Sequence, residues 1–272
     1  MSERRRERLA RDGQAGTPRS RMRSERPSNR VTTTAICNAN YGSVETHRMT
    51  RVSLVCTVHE ESGCASVAEL RAILEHIQPE VIFLEVPPAA FKDYFENSQN
   101  LEAKAVRQYR AGHQVELVPV DLPTPTGEFF SNFEELRRRI RLVSPNYRRL
   151  MQWDGDCIRE YGFVYLNSEE CSQLWLSVYK EMLSTIEWLK DSSLLAPYES
   201  WIETNNLREN AWIENIQKYC GDKTCDKGAF LVGAAHRQPI IEKSRKQTAP
   251  GSTRIQWDFT DWMGQVPRVS GA

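Results

Sequence analysis

Neither sign of charge dominates this sequence. Its 272 residues carry 36 Lys and Arg against 36 Asp and Glu. A dedicated nucleic-acid binder would show a basic excess, so no specific nucleic-acid partner is expected. Long apolar runs are also missing. No stretch approaches the roughly 18 residues that span a bilayer, so no transmembrane segment is expected. The first residues lack the apolar centre of a secretory signal, and the seven cysteines form an odd set. Together these place the expectation in a reducing, intracellular and most plainly cytoplasmic compartment. Cys220 and Cys225 stand in a C-x4-C spacing with no second pair to complete a zinc site, and read as free thiols. No P-loop and no G-x-G-x-x-G is present, which argues against a nucleotide site. No G-x-S-x-G elbow supports serine catalysis. Nor is there an H-E-x-x-H: Glu60 and Glu61 follow His59, but position 63 is Gly. These two acids read as helix-start residues favoured by the helix dipole. No repeat of solenoid length occurs.

What is present is an ordinary globular composition, 40% hydrophobic and 26% charged, over enough chain to bury a core. The charge is unevenly placed. Residues 1–30 hold ten Arg against four acidic residues, a local balance of +6. Almost no apolar residue is there to offset ordering entropy, so residues 1–50 are expected to form a disordered basic tail. Residues 51–262 read as one domain, and 263–272 as a loose end.

Within that domain, Val52–Val58 is a β-branched apolar run that ends at His59. Val67, Leu70, Leu74 and Ile77 recur at helical spacing before Pro79. Val81–Leu84 is a strand apolar on both faces, stopped by Pro87 and Pro88. A second helix covers about 100–111, with Leu101, Ala105 and Tyr109 on one side. Residues 115–120 form a third strand that runs into Asp121. This β-α-β-α-β start predicts a mostly parallel α/β sheet. Residues 129–219 hold five Trp and no convincing strand, and read as a helical insertion. Its Trp175, Val178, Met182, Ile186 and Leu189 share one face, as do Leu207, Ala211 and Ile216. Its aromatics are expected to pack in a core rather than stack on bases. The sheet resumes at Gly228–Val232, before Gly233-Ala234-Ala235-His236. Residues 253–259 alternate as a half-exposed edge strand does.

Four polar residues therefore end strands: His59, Glu85, Asp121 and His236. In a parallel sheet all such ends share one edge, the usual place for ligands. Two imidazoles and two carboxylates are the groups that bind a transition metal or move protons. The small residues of Gly233-Ala234-Ala235 leave room for close approach to His236.

The segments Cys56-Thr57-Val58-His59, Phe83-Leu84-Glu85-Val86 and Gly233-Ala234-Ala235-His236 resemble the TraB/Tiki family, of the wider clan that includes GumN-like, erythromycin-esterase-like and ChaN-like proteins. That family has two G-x-x-H motifs, a Glu after the second strand and a helix with Arg, Trp/Met and Ile/Leu at fixed spacing, matched here by Arg208, Trp212 and Ile216. Asp121 resembles its acidic residue after the third strand. Two positions depart from the pattern: Cys56 stands for the first motif Gly, and Glu209 for an Asn or Asp. The resemblance implies a divalent-metal-dependent hydrolase acting on a peptide or small ester. His59, His236 and Glu85 would be ligands of Mn, Co or Zn. Asp121 would be a further ligand or the base, and Arg208 would steady developing charge. Such an ion would activate water and polarise the carbonyl. Two alternatives stay open: a regulatory or binding protein of the same fold, and an iron- or haem-binding protein of the ChaN-like kind.

Overall fold

The computed structural model describes residues 49–247 and 254–262. The Arg-rich tail to residue 48 and the end after residue 262 lie outside the described residues.

The chain runs β1 (Thr50–Thr57), α1 (Val67–Ile77), β2 (Val81–Leu84), α2 (Phe91–Asn97), α3 (Leu101–Arg110) and β3 (Glu116–Pro119). Four helices follow: α4 (Gly127–Val143), α5 (Pro145–Leu166), α6 (Glu169–Leu189) and α7 (Leu195–Asp222). The sheet resumes with β4 (Lys227–Gly233), then α8 (Arg237–Gln247) and β5 (Ile255–Asp258). All five strands pair in parallel, in the order β3-β2-β4-β1-β5. The expected α/β sheet with its large helical insertion is therefore present. The insertion is slightly longer than read, since α4 begins at Gly127 and α7 ends at Asp222.

β4 is the centre of the sheet. It pairs with β1 from Arg51 opposite Lys227 to Thr57 opposite Gly233, and with β2 from Val81 opposite Gly228 to Leu84 opposite Leu231. Its residues from Ala229 to Val232 are almost inaccessible. A strand covered on both faces needs a continuous apolar run, and Ala229-Phe230-Leu231-Val232 supplies it. β4, which follows the helical insertion in sequence, thus splits β1 from β2 and brings its own end between the ends of both.

The helices pack as their periodicity requires. Ser66 caps α1 by accepting from Glu69 N, and Val67, Leu70, Leu74 and Ile77 are buried. Glu61 Oε2 accepts the Val67 N–H at 3.1 Å, so it does serve the start of this helix. Leu101, Ala105 and Tyr109 of α3 are buried against the same core. A second apolar cluster fills the insertion, built from Leu136, Ile140, Val178, Met182 and Ile186.

Three readings need correction. The segment Phe91–Asn97 is a helix that was not expected, although Phe91, Tyr94 and Phe95 carry its i, i+3, i+4 spacing. Leu207 is 54% exposed and does not share the buried face of α7. The five Trp of the insertion are not uniformly core residues: Trp212 is fully buried and Trp201 stacks on Phe133, but Trp153 and Trp188 are exposed. Cys220 and Cys225 are free thiols, both buried.

The loop after β1 is pinned by a bend in α5. Gly162 has φ 53° and ψ −129°, a conformation that L side chains avoid. An added Cβ there would lie 2.7 Å from the Cys64 carbonyl carbon. Cys64 N–H also donates to Arg159 O at 2.9 Å. Gly162→Ala is therefore expected to lose about 1–3 kcal/mol of stability. Denaturant unfolding with no loss would show that α5 does not hold this loop.

Candidate functional site

The parallel strands bring their polar ends to one edge, and α7 lies across it. Asn205, Arg208, Glu209 and Trp212 recur at three- and four-residue intervals, so one face of α7 meets the edge. Arg208 is the meeting point. Its Nη2 donates to Glu85 Oε1 at 2.7 Å and to Asp121 Oδ2 at 2.8 Å, and its Nε donates to Asp121 Oδ1 at 3.1 Å. Burial opposes the charge on Arg208, but its bonds to Asp121 and Glu85 hold its pKa above the ordinary value. The guanidinium also lies over the Trp212 ring, 4.8 Å from its centroid.

Asp121 is fully engaged. Oδ1 accepts from Trp212 Nε1 at 2.6 Å and from Leu122 N at 2.8 Å, besides Arg208. Glu85 is held at both ends, since its Oε2 accepts the Gly233 N–H at 2.8 Å. The space at Gly233 is ordinary: an added Cβ would sit 3.6 Å from Glu85 Oε2 and 3.7 Å from His236 Cδ2. What the Gly233 position supplies is its N–H, not the close approach expected of a glycine.

His236 is buried on a single turn, Ala234–His236, directly after β4. Its Nδ1 lies 2.8 Å from Glu209 Oε1, and its ring meets Trp212 edge-to-face. Lys243 Nζ donates to Glu209 Oε2 at 2.8 Å, so both oxygens of this carboxylate are engaged. Glu209 accepts from Nδ1–H, and Nε2 lies 3.9 Å from Glu85 Oε1. The position at which the sequence departs from the family pattern thus supplies the partner of the second histidine.

His59 has a different setting. It is 71% exposed, and its Nδ1 donates to Glu102 Oε1 at 3.2 Å. Thr57 Oγ1 donates to the same oxygen at 2.8 Å. The bond to Glu102 raises the His59 pKa to about 9 against the opposing effect of desolvation, with Glu102 and Glu85 adding negative potential. His59 is therefore an imidazolium at neutral pH.

His59, Glu85, Asp121, Arg208 and His236 all line one cleft of about 500 Å³. Its other wall is apolar, with Phe130, Trp175 and Trp201. A second cleft of about 530 Å³ shares His59 and Glu85 and extends past Tyr94 and Glu102.

This donor set does not fit a divalent ion as arranged. Zinc-like ions take three or four N or O donors at about 2 Å. Here Glu85 Oε1 holds a guanidinium and Oε2 a backbone N–H, while His59 is turned to Glu102. Only His236 Nε2 and Glu85 Oε1 face each other. Among the described residues, no group of three or more His, Cys, Asp or Glu is placed to hold a metal ion.

Sequence reasoning missed Glu102 and Asn167, and named Glu209 only as a departure from the pattern that the resemblance implies. Asn167 accepts the Cys56 N–H at 2.7 Å and donates back to Cys56 O at 3.2 Å, fixing the end of β1. Burial of Cys56 pushes its thiol up to about 12, which keeps it a neutral core residue.

No family model matches the chain, and no curated protein matches it. A solved protein from Bacillus cereus is similar over 77% of this chain, at 11% identity and a TM-score of 0.29. This chain spans 65% of that protein's length.

The pKa of His59 gives the site a pH signature. Because its folded value exceeds its unfolded value of 6.5, the stability it contributes is complete below about pH 6.5 and fades as pH rises through about 9. NMR titration of the His59 ring is expected to give a midpoint near 9, falling toward 6.5 in Glu102→Gln. A wild-type midpoint near 6.5 would mean that the Glu102 bond does not hold in solution.

Proposed function

We propose that this chain is a hydrolase of a carbonyl-centred bond, a peptide or small ester, and that His236 is its general base. The observation that carries the reading is the Glu209–His236 pair, with Nδ1 2.8 Å from a buried carboxylate and His236 in the wall of the cleft. A carboxylate behind an imidazole fixes its tautomer and stabilises the imidazolium that forms when it takes a proton. Nε2 would accept a proton from water as the water oxygen attacks the carbonyl carbon. The same proton would pass to the leaving oxygen or nitrogen as that bond breaks.

The other residues take roles that differ from those the family resemblance implies. Arg208 spends its Nε and Nη2 donors on Glu85 and Asp121, so it acts as a positioning residue. His59, charged and exposed at the cleft, is the cation available to a developing oxyanion. Asp121, with Oδ1 triply engaged, holds Arg208 and Trp212 rather than a proton in transit.

His236→Gln and Glu209→Gln are each expected to lower kcat on a responsive ester or peptide by about a hundred-fold or more, with thermal unfolding little changed. Turnover is expected to survive exhaustive chelation. Unchanged kcat in both variants would refute the base assignment. Loss of turnover on chelation, restored by Mn, Co or Zn, would favour the metal-dependent mechanism implied by the TraB/Tiki resemblance. No turnover across a broad panel would favour the binding or regulatory alternative.

A further inference from the structure

The second cleft has a feature that the hydrolytic step does not use. Glu102 begins α3, is 5% exposed, and accepts from Thr57 and His59 through Oε1 alone. Its Oε2 is buried with no hydrogen-bond partner among the described residues. A buried carboxylate oxygen left unpaired is costly, and the group that relieves it must be a donor. Glu102 lines the cleft of about 530 Å³, together with Glu85 and with Asp93 of α2. Three carboxylates thus line one cavity; Arg208 answers Glu85 and His59 answers Glu102, and Asp93 has no ion pair among the described residues.

We propose that this cleft is a subsite for a cationic group of the substrate, an ammonium or guanidinium on an aliphatic stem, seated against Glu102 and Asp93. The proposal rests on the hydrolase reading and names its substrate class. Several observations favour an organic cation. The cavity is far larger than a bare ion needs and suits a side chain. Asp93 Oδ1 accepts from Asn97 Nδ2 at 2.7 Å, and among the described residues no cation pairs with its carboxylate. Tyr94 places an aromatic ring in the same wall. Its phenol is held neutral by burial and by the charges of Glu102 and Glu85.

The two clefts adjoin at His59 and Glu85, which line both. A substrate spanning them would place its basic group beside Glu102 and its apolar group against Trp175 and Trp201. The reacting carbonyl would then lie between, beside His59. A neutral polar group would satisfy Glu102 Oε2 but leave the charge of Asp93 unanswered, which is the reason for choosing a cation.

The test is titration calorimetry on the full chain with two probes that share a four-carbon stem, N-acetyl-lysine methylamide and N-acetyl-norleucine methylamide, the second lacking the ammonium. The lysine probe is expected to bind, with affinity falling as salt rises, and the norleucine probe to bind at least about tenfold more weakly. Glu102→Gln is expected to weaken the lysine probe by about tenfold or more. Asp93→Asn should also weaken it; that side chain lies outside the hydrolytic cleft and serves if Glu102→Gln fails to fold. Equal affinity for both probes, or lysine binding unchanged in the folded variants, would overturn the proposal. The readout needs no turnover. A lysine probe that binds while every ester stays intact would sink the hydrolase reading and keep the subsite. Turnover without lysine preference would do the reverse.

Discussion

The ion cluster of Glu85, Arg208 and Asp121 is the contact on which the rest of the site depends. One guanidinium from α7 holds two carboxylates that follow β2 and β3. A carboxylate left unpaired at a buried strand end would cost several kcal/mol. Removing the guanidinium would leave two. The geometry is bidentate on Asp121, where fork-shaped Arg is not replaceable by Lys. The cluster therefore does more than offset charge. It clamps a helix of the insertion onto the open edge of the sheet, with Trp212 buried beneath it and Asn215 Nδ2 donating to Val120 O at 2.9 Å.

With α7 fixed, its next residue gains a function. Glu209 follows Arg208 on α7, and its Oε1 lies 2.8 Å from His236 Nδ1. His236 joins the wall of the cleft because β4 ends where it does, between β1 and β2. The two histidines thus sit in opposed environments. One is exposed and kept charged by Glu102; the other is buried and tied to Glu209. Separating two like groups by environment is a common way to give one fold both a cation and a base.

Much of this was legible in the sequence, because buried parallel strands leave a strong signal. Val81-Ile82-Phe83-Leu84 has no polar member, and the first polar residue after it is Glu85. The same logic found His59, Asp121 and His236. Strand order was not legible, since nothing in the apolar run of β4 says that it enters between β1 and β2. The carboxylate partners were harder still. Glu102 reads as an ordinary acid in the first turn of a helix, and only the fold shows Thr57 and His59 pointing at it. Glu209 was visible only as a departure from a pattern, although its spacing from Asn205 and Trp212 puts it on the buried face of α7. That spacing was the available signal. The tail to residue 48 lies outside the described residues, so its charge has no structural counterpart here.

The central claim is that Glu209 holds the His236 proton on Nδ1 and leaves Nε2 free to act. Nitrogen-15 NMR of the imidazole reads this tautomer directly, without any substrate. The account predicts a neutral His236 ring protonated at Nδ1 and bare at Nε2, with the preference lost in Glu209→Gln. A wild-type ring protonated at Nε2 would contradict it, because that nitrogen would then have no lone pair to offer to water.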